Sequence, residues 1–139
     1  MPTLTRWYIK SALVWLTLAF TVASALALRT LIDLPAGIGA LQPVYFHLLM
    51  VGWVTQLIFG VVYWLFPKPE PAWALRSEQL GRLTWLLLNL GLVLRAVSEP
   101  AMTLNAGDLF GGLLALSALL QLLAGWLFVG TTWPRVRQR

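Results

Sequence analysis

From Leu34 to Pro67 the chain runs 34 residues without one charged side chain. Two more long gaps accompany it: Ser11 to Leu28, bounded by Lys10 and Arg29, and Leu109 to Trp133, followed by Arg135. A helix that crosses the hydrocarbon of a bilayer needs about 20 mostly apolar residues, and each gap supplies that length. Only 11% of the 139 residues are charged, against roughly 25% in a soluble domain. A chain this short leaves too much surface for such a deficit to hide in a core. A water-soluble enzyme is therefore excluded, and lipid is the expected solvent.

Prolines and glycines divide the longest gap. Pro35, Gly37, Gly39 and Pro43 mark a loop, and Pro43 suits a helix start because its missing N–H costs nothing there. Pro67, Pro69 and Pro71 stop the second helix and stiffen the connection after it. A weaker block, Leu83 to Leu94, lies between Arg82 and Arg95 and reaches spanning length only if both arginines stand near interfaces. The expectation is one all-α integral membrane domain over residues 1–139. It is a bundle of four transmembrane helices at about 8–29, 43–66, 79–98 and 109–133.

Charge placement orients that bundle. Four crossings put the N-terminus, the second connection and the C-terminus on one side, with Arg6, Lys10, Lys68, Arg76, Arg82, Arg135, Arg137 and Arg139. The other side keeps Arg29 and Arg95, near Asp33, Glu99 and Asp108. The positive-inside rule then places both termini in the cytoplasm of a bacterial-type inner membrane. Trp7, Trp64, Trp73, Trp85 and Trp133 fall near the same interface, where an indole is favoured. The net charge of +5 is spread over connections and termini, a lipid-facing pattern that does not call for nucleic acid. A secretory leader is the competing reading of the first block, with Arg6 and Lys10 as its basic start and Ala25-Leu26-Ala27 as a cleavage site. The apolar run exceeds the roughly 7–15 residues of such a leader, so a retained helix is expected.

Cysteine is absent, which removes disulfides, iron–sulfur clusters and thiolate metal sites. The one histidine, His47, stands about a turn into the second helix. An ionisable group inside a span is a functional-site hypothesis. Zinc wants three or four ligands, and a proton relay wants a chain of polar groups. On an ideal helix the face below His47 carries Val51, Val54, Ile58, Val61 and Val62. Two readings remain for the imidazole: a hydrogen bond to a backbone carbonyl of a neighbouring helix, or axial ligation of haem iron beside an apolar wall.

The stretch Phe46-His47-Leu48-Leu49-Met50-Val51-Gly52-Trp53, continuing to Tyr63-Trp64-Leu65-Phe66-Pro67, resembles the second transmembrane helix of haem–copper oxidase subunit I. The likeness is to the divergent members that include nitric oxide reductases and cbb3-type oxidases, and it spans 22 residues. The flanking blocks resemble that family only in spacing and apolar character. The resemblance implies His47 as an axial ligand of a low-spin haem b near the outer face. Outward-pointing propionates would then meet Arg29 or Arg95, since arginine matches a carboxylate in a bidentate fork. The plainer reading pairs Arg95 with Glu99 at i,i+4 and leaves Arg29 an interfacial cation near Asp33.

No second histidine remains for copper, for a high-spin haem or for the sixth iron position. Reduction of oxygen or nitric oxide by this chain alone is therefore not expected. The sixth ligand could be His47 of a second copy across a two-fold axis. It could instead be Met102, with Met50 too close to His47 on one helix to reach the opposite haem face, or a partner in a larger respiratory complex. Both methionines also suit plain packing. Gln56, Asn89, Ser117, Gln121 and Gly125 read as helix-joining groups, and Gly111-Gly112 as a close-packing point. The expected function is haem b binding in respiratory electron transfer, or an accessory role on the same scaffold. The alternative is a haem-free structural or assembly subunit.

Overall fold

The computed structural model describes residues 1–67, 71–104 and 107–136. Lys68, Pro69, Arg137 and Arg139, which entered the charge and connection arguments, lie outside these residues. All regular structure among the described residues is helical. The elements are α1 (Thr3–Leu28), a 3₁₀ segment (Ala36–Leu41), α2 (Gln42–His47), a π segment (Leu48–Thr55), α3 (Gln56–Leu65), α4 (Pro71–Thr103), α5 (Asp108–Thr132) and a closing 3₁₀ turn (Trp133–Arg135). The 3₁₀ segment, α2, the π segment and α3 run on as one span, Gly37–Leu65. With α1, α4 and α5 this makes four helices long and apolar enough to cross a membrane.

The bounds differ from the sequence reading where polar residues stand at helix ends. α1 begins at Thr3, because Arg6 and Lys10 are solvated on the end of an otherwise apolar helix. α4 begins at Pro71, two turns before the expected start at about residue 79, and so carries Trp73, Arg76 and Glu78 as well. Pro71 sits where its lost N–H is harmless. At its other end α4 continues one turn through Pro100 to Thr103, past the expected stop at about residue 98. α5 opens on Gly107 at φ 98°, a conformation that suits glycine, and Asp108 places an acid in its first turn.

α1 packs along the second span, and α4 packs along α5 over a contact of similar extent. The two pairs meet where α1 and α2 touch α4 and where α3 touches α5. Leu4, Tyr8, Phe59, Leu88 and Ala124 make the larger core cluster, with Tyr63, Trp85 and Phe128 against it. The Phe59 and Phe128 rings stack with centroids 3.6 Å apart. A smaller cluster of Ala19, Val44 and Leu48 lies at the other end. The outside is apolar as well: Leu13, Phe20, Ile58, Leu86, Leu90, Leu119 and Trp126 are all exposed. A monomer in water rarely exposes so much contiguous apolar surface.

Candidate functional site

Two polar sites lie along the bundle. The first is at its centre. Gln56, 0% exposed, begins α3 and faces Asn89 of α4. Gln56 Nε2 donates to Asn89 Oδ1 at 3.1 Å, and Asn89 Nδ2 donates back to Gln56 Oε1 at 3.3 Å. The Ser11 hydroxyl of α1 donates to the same Gln56 oxygen. Trp15 Nε1 donates to Asn89 Oδ1 at 2.7 Å, and Trp85 Nε1 to Ser11 Oγ at 3.0 Å. Polar groups without water must find partners inside the protein, and this knot closes that requirement across three helices. Its role is to fix how α1, the second span and α4 meet.

The sequence reading of Gln56 and Asn89 as helix-joining groups agrees with this arrangement. Ser11 and Trp15 were not singled out, and Trp85 was assigned to an interfacial belt. Trp85 instead stands half-buried with its N–H inside the knot, while Trp7, Trp64, Trp73 and Trp133 are exposed. The signal that could have found the inner pair is spacing: Trp15 follows Ser11, and Asn89 follows Trp85, by one helical turn each.

Glycine sets the approach of the helices around the knot. A Cβ on Gly52 would meet Trp15 Cβ at 2.8 Å, and one on Gly91 would meet Gln121 Cγ at 2.9 Å and the Ser117 carbonyl at 3.1 Å. The Ser117 hydroxyl bonds the Gly91 carbonyl at 2.8 Å, and Gln121 Nε2 lies 3.3 Å from Ser117 Oγ. Ser117 and Gln121 thus join α5 to α4 as expected. Gly112 and Gly125 would meet nothing within 4 Å, and Gly111 makes only ordinary contact with Met102. The close-packing point is therefore Gly91, one helix earlier than Gly111-Gly112.

The second site is at the opposite end from the termini, around His47. Its Nδ1 lies 2.9 Å from the Pro43 carbonyl, one turn back, and 3.7 Å from Glu99 Oε2 on α4. Both neighbours are acceptors, so the proton of a neutral ring belongs on Nδ1 and the lone pair on Nε2. Glu99 Oε2 also lies 3.4 Å from Arg95 Nε. The Glu99 oxygen and Arg95 Nε are buried without a well-formed hydrogen bond. The His47 side chain keeps 30% of its surface accessible, and its neighbours Phe46 and Met50 are exposed.

The segment after His47 is π-helical, with i→i+5 bonding, which is rare and recurs at functional sites. The Thr55 hydroxyl follows the same wide turn and bonds the Met50 carbonyl at 2.8 Å. This rotates the face expected below His47. Val51 turns into the core cluster while Ile58 and Val61 are exposed. An ideal 100° step cannot anticipate that shift.

Of the other candidate residues, Arg95 is linked to His47 through Glu99, and no described contact joins Arg29 or Met102 to it. Arg95 takes the plainer of its two readings, paired with Glu99. Arg29 lies against Gly39, whose added Cβ would meet the guanidinium carbon at 3.0 Å, and it makes no ion pair with Asp33 among the described residues. Met102 packs on Gly111 at the start of α5. Met50 is exposed on the same helix as His47. Among the described residues no cluster of three His, Cys, Asp or Glu side chains could hold a metal ion. Compared with protein-family models, curated proteins and solved structures, the chain gives no match.

Proposed function

We propose that this chain is a haem b-binding protein of the bacterial-type inner membrane, with both termini cytoplasmic, taking part in respiratory electron transfer. His47 is the axial ligand. The observation that carries the reading is the fixed polarity of the imidazole: Nδ1 is committed to the Pro43 carbonyl, and Nε2 keeps its lone pair. Metal-ligating histidines are held in this way by a carbonyl or carboxylate on the other nitrogen. The residues present fit one ligand of a haem. Arg29 is the better propionate partner of the two arginines, because Arg95 is engaged by Glu99. A haem bound here supplies one-electron transfer. The protein's part is to orient the imidazole through Pro43.

The lateral exposure of Phe46 and Met50 beside His47 favours a second copy of the chain as the source of the sixth ligand. A C₂ arrangement brings the same patch of each copy to the axis. The test is the haem-to-protein ratio, read with sedimentation in detergent. One haem per two chains in a dimer supports the shared site, and a haem-loaded monomer contradicts it.

A second reading, a haem-free structural or assembly subunit, draws on the bridge of Glu99 between His47 and Arg95. That bridge links the second and third spans without any cofactor. A colourless protein after expression with ample haem decides for it.

A further inference from the structure

At the end of the bundle that carries both termini, a cavity of about 670 Å³ lies between the start of α1, the start of α4 and Arg135. Arg135 is only 7% exposed. Its Nε donates to the Pro67 carbonyl at 2.8 Å, and its Nη2 to the carbonyls of Phe66 at 3.1 Å and Tyr63 at 3.3 Å. Tyr63 is in the last turn of α3, and Phe66 and Pro67 follow it directly, so the side chain caps the end of α3 from another helix. The cap engages Nε and Nη2 only; Nη1 has no hydrogen-bond partner, and no carboxylate lies within 4 Å of the guanidinium, among the described residues. A guanidinium cannot shed its proton, and a buried charge without a counter-ion is costly.

The rest of the wall has the same polarity. Thr3, Leu4 and Thr5 belong to the first turn of α1, which has no side-chain cap and no acid. Pro71 and Ala74 belong to the first turn of α4, also without an acid. Helix N-termini present free N–H groups and a positive dipole end, which favour an anion. Thr5 is 0% exposed, and its hydroxyl has no partner among the described residues. Glu78, the one acid in the wall among the described residues, is paired with Arg82 at 2.7 Å.

We propose that this cavity binds one phosphate-bearing anion, held by the Arg135 guanidinium and the N-terminal turns of α1 and α4. The phosphate comes from an anionic phospholipid headgroup or from a soluble phosphate ester, and the same groups recognise both. A phosphate takes a guanidinium in a charge-assisted fork and supplies it with a counter-ion.

The experiment is native mass spectrometry of the whole chain in detergent. It is titrated separately with phosphatidylglycerol, with phosphatidylcholine and with glycerol phosphate. One adduct of phosphatidylglycerol, held about tenfold or more tighter than phosphatidylcholine, is the expected result for a lipid source. One adduct of glycerol phosphate without lipid preference supports the same site with a soluble source. In either case Arg135→Gln weakens binding about tenfold or more. Because Arg135→Gln also removes the α3 cap, Ala74→Asp is the second variant. It adds an acid that suits the first turn of α4 while setting a negative charge in the wall, and it weakens binding by a similar factor. Binding no tighter than phosphatidylcholine for every anion, or full affinity in a folded Ala74→Asp protein, overturns the proposal.

Discussion

Replacing either amide of the central knot removes hydrogen bonds, but the two replacements differ in what they leave behind. Gln56→Leu deletes three bonds, to Ser11 and twice to Asn89. Every partner keeps another: the Ser11 hydroxyl still reaches the Trp7 carbonyl at 2.9 Å, and Asn89 still accepts from Trp15 and donates to the Trp85 carbonyl. At about 0.6 kcal/mol for each bond between helices in a membrane, the loss is about 2 kcal/mol, less whatever the leucine regains by packing. Asn89→Leu is worse. It strands Trp15 Nε1 and Gln56 Nε2, which have no other acceptor among the described residues. Each orphaned donor costs about 1–3 kcal/mol, so the two together cost about 2–6 kcal/mol. The double variant loses less than the sum, because removing both amides leaves Gln56 Nε2 out of the count. Unfolding in mixed micelles, with helicity followed as denaturing detergent rises, measures all three. Equal losses for the two single variants, or a larger loss for Gln56→Leu, would refute the reasoning.

Three further outcomes are expected. Gly91→Val forces α4 and α5 apart at Ser117 and Gln121 and costs about 1–3 kcal/mol as overpacking, read in the same unfolding experiment. Gly112→Ala meets nothing within 4 Å and stabilises α5 by about 0.5–1 kcal/mol, the helical cost of glycine. Because the chain has no native cysteine, single cysteines report topology cleanly. In intact cells Thr103→Cys reacts with an impermeant thiol reagent, while Thr3→Cys and Val136→Cys do so only after the membrane is opened.

The four apolar helices were legible from the spacing of charges, because the cost of a charge in hydrocarbon is a local property of the sequence. Helix ends were less so. Arg76, Glu78 and Arg82 continue α4 outside any apolar block, where hydropathy carries no signal. Gln56 and Asn89 could be recognised as joining groups, yet their pairing with each other, with Ser11 and with Trp15 depends on how separate helices meet. His47 announced itself as the sole histidine. Glu99 beside it did not, because it comes from α4, and the π segment turned Val51 off the face expected below it. Arg135 read as one of the cations on the side of the termini and is a buried cap of another helix.

The most direct measurement is the visible spectrum of the purified protein, expressed with ample haem, beside that of His47→Ala. The account predicts a Soret band with sharp reduced α and β bands in the parent protein, and their loss in His47→Ala while helicity is kept. A colourless parent protein, or an unchanged spectrum in the variant, contradicts it.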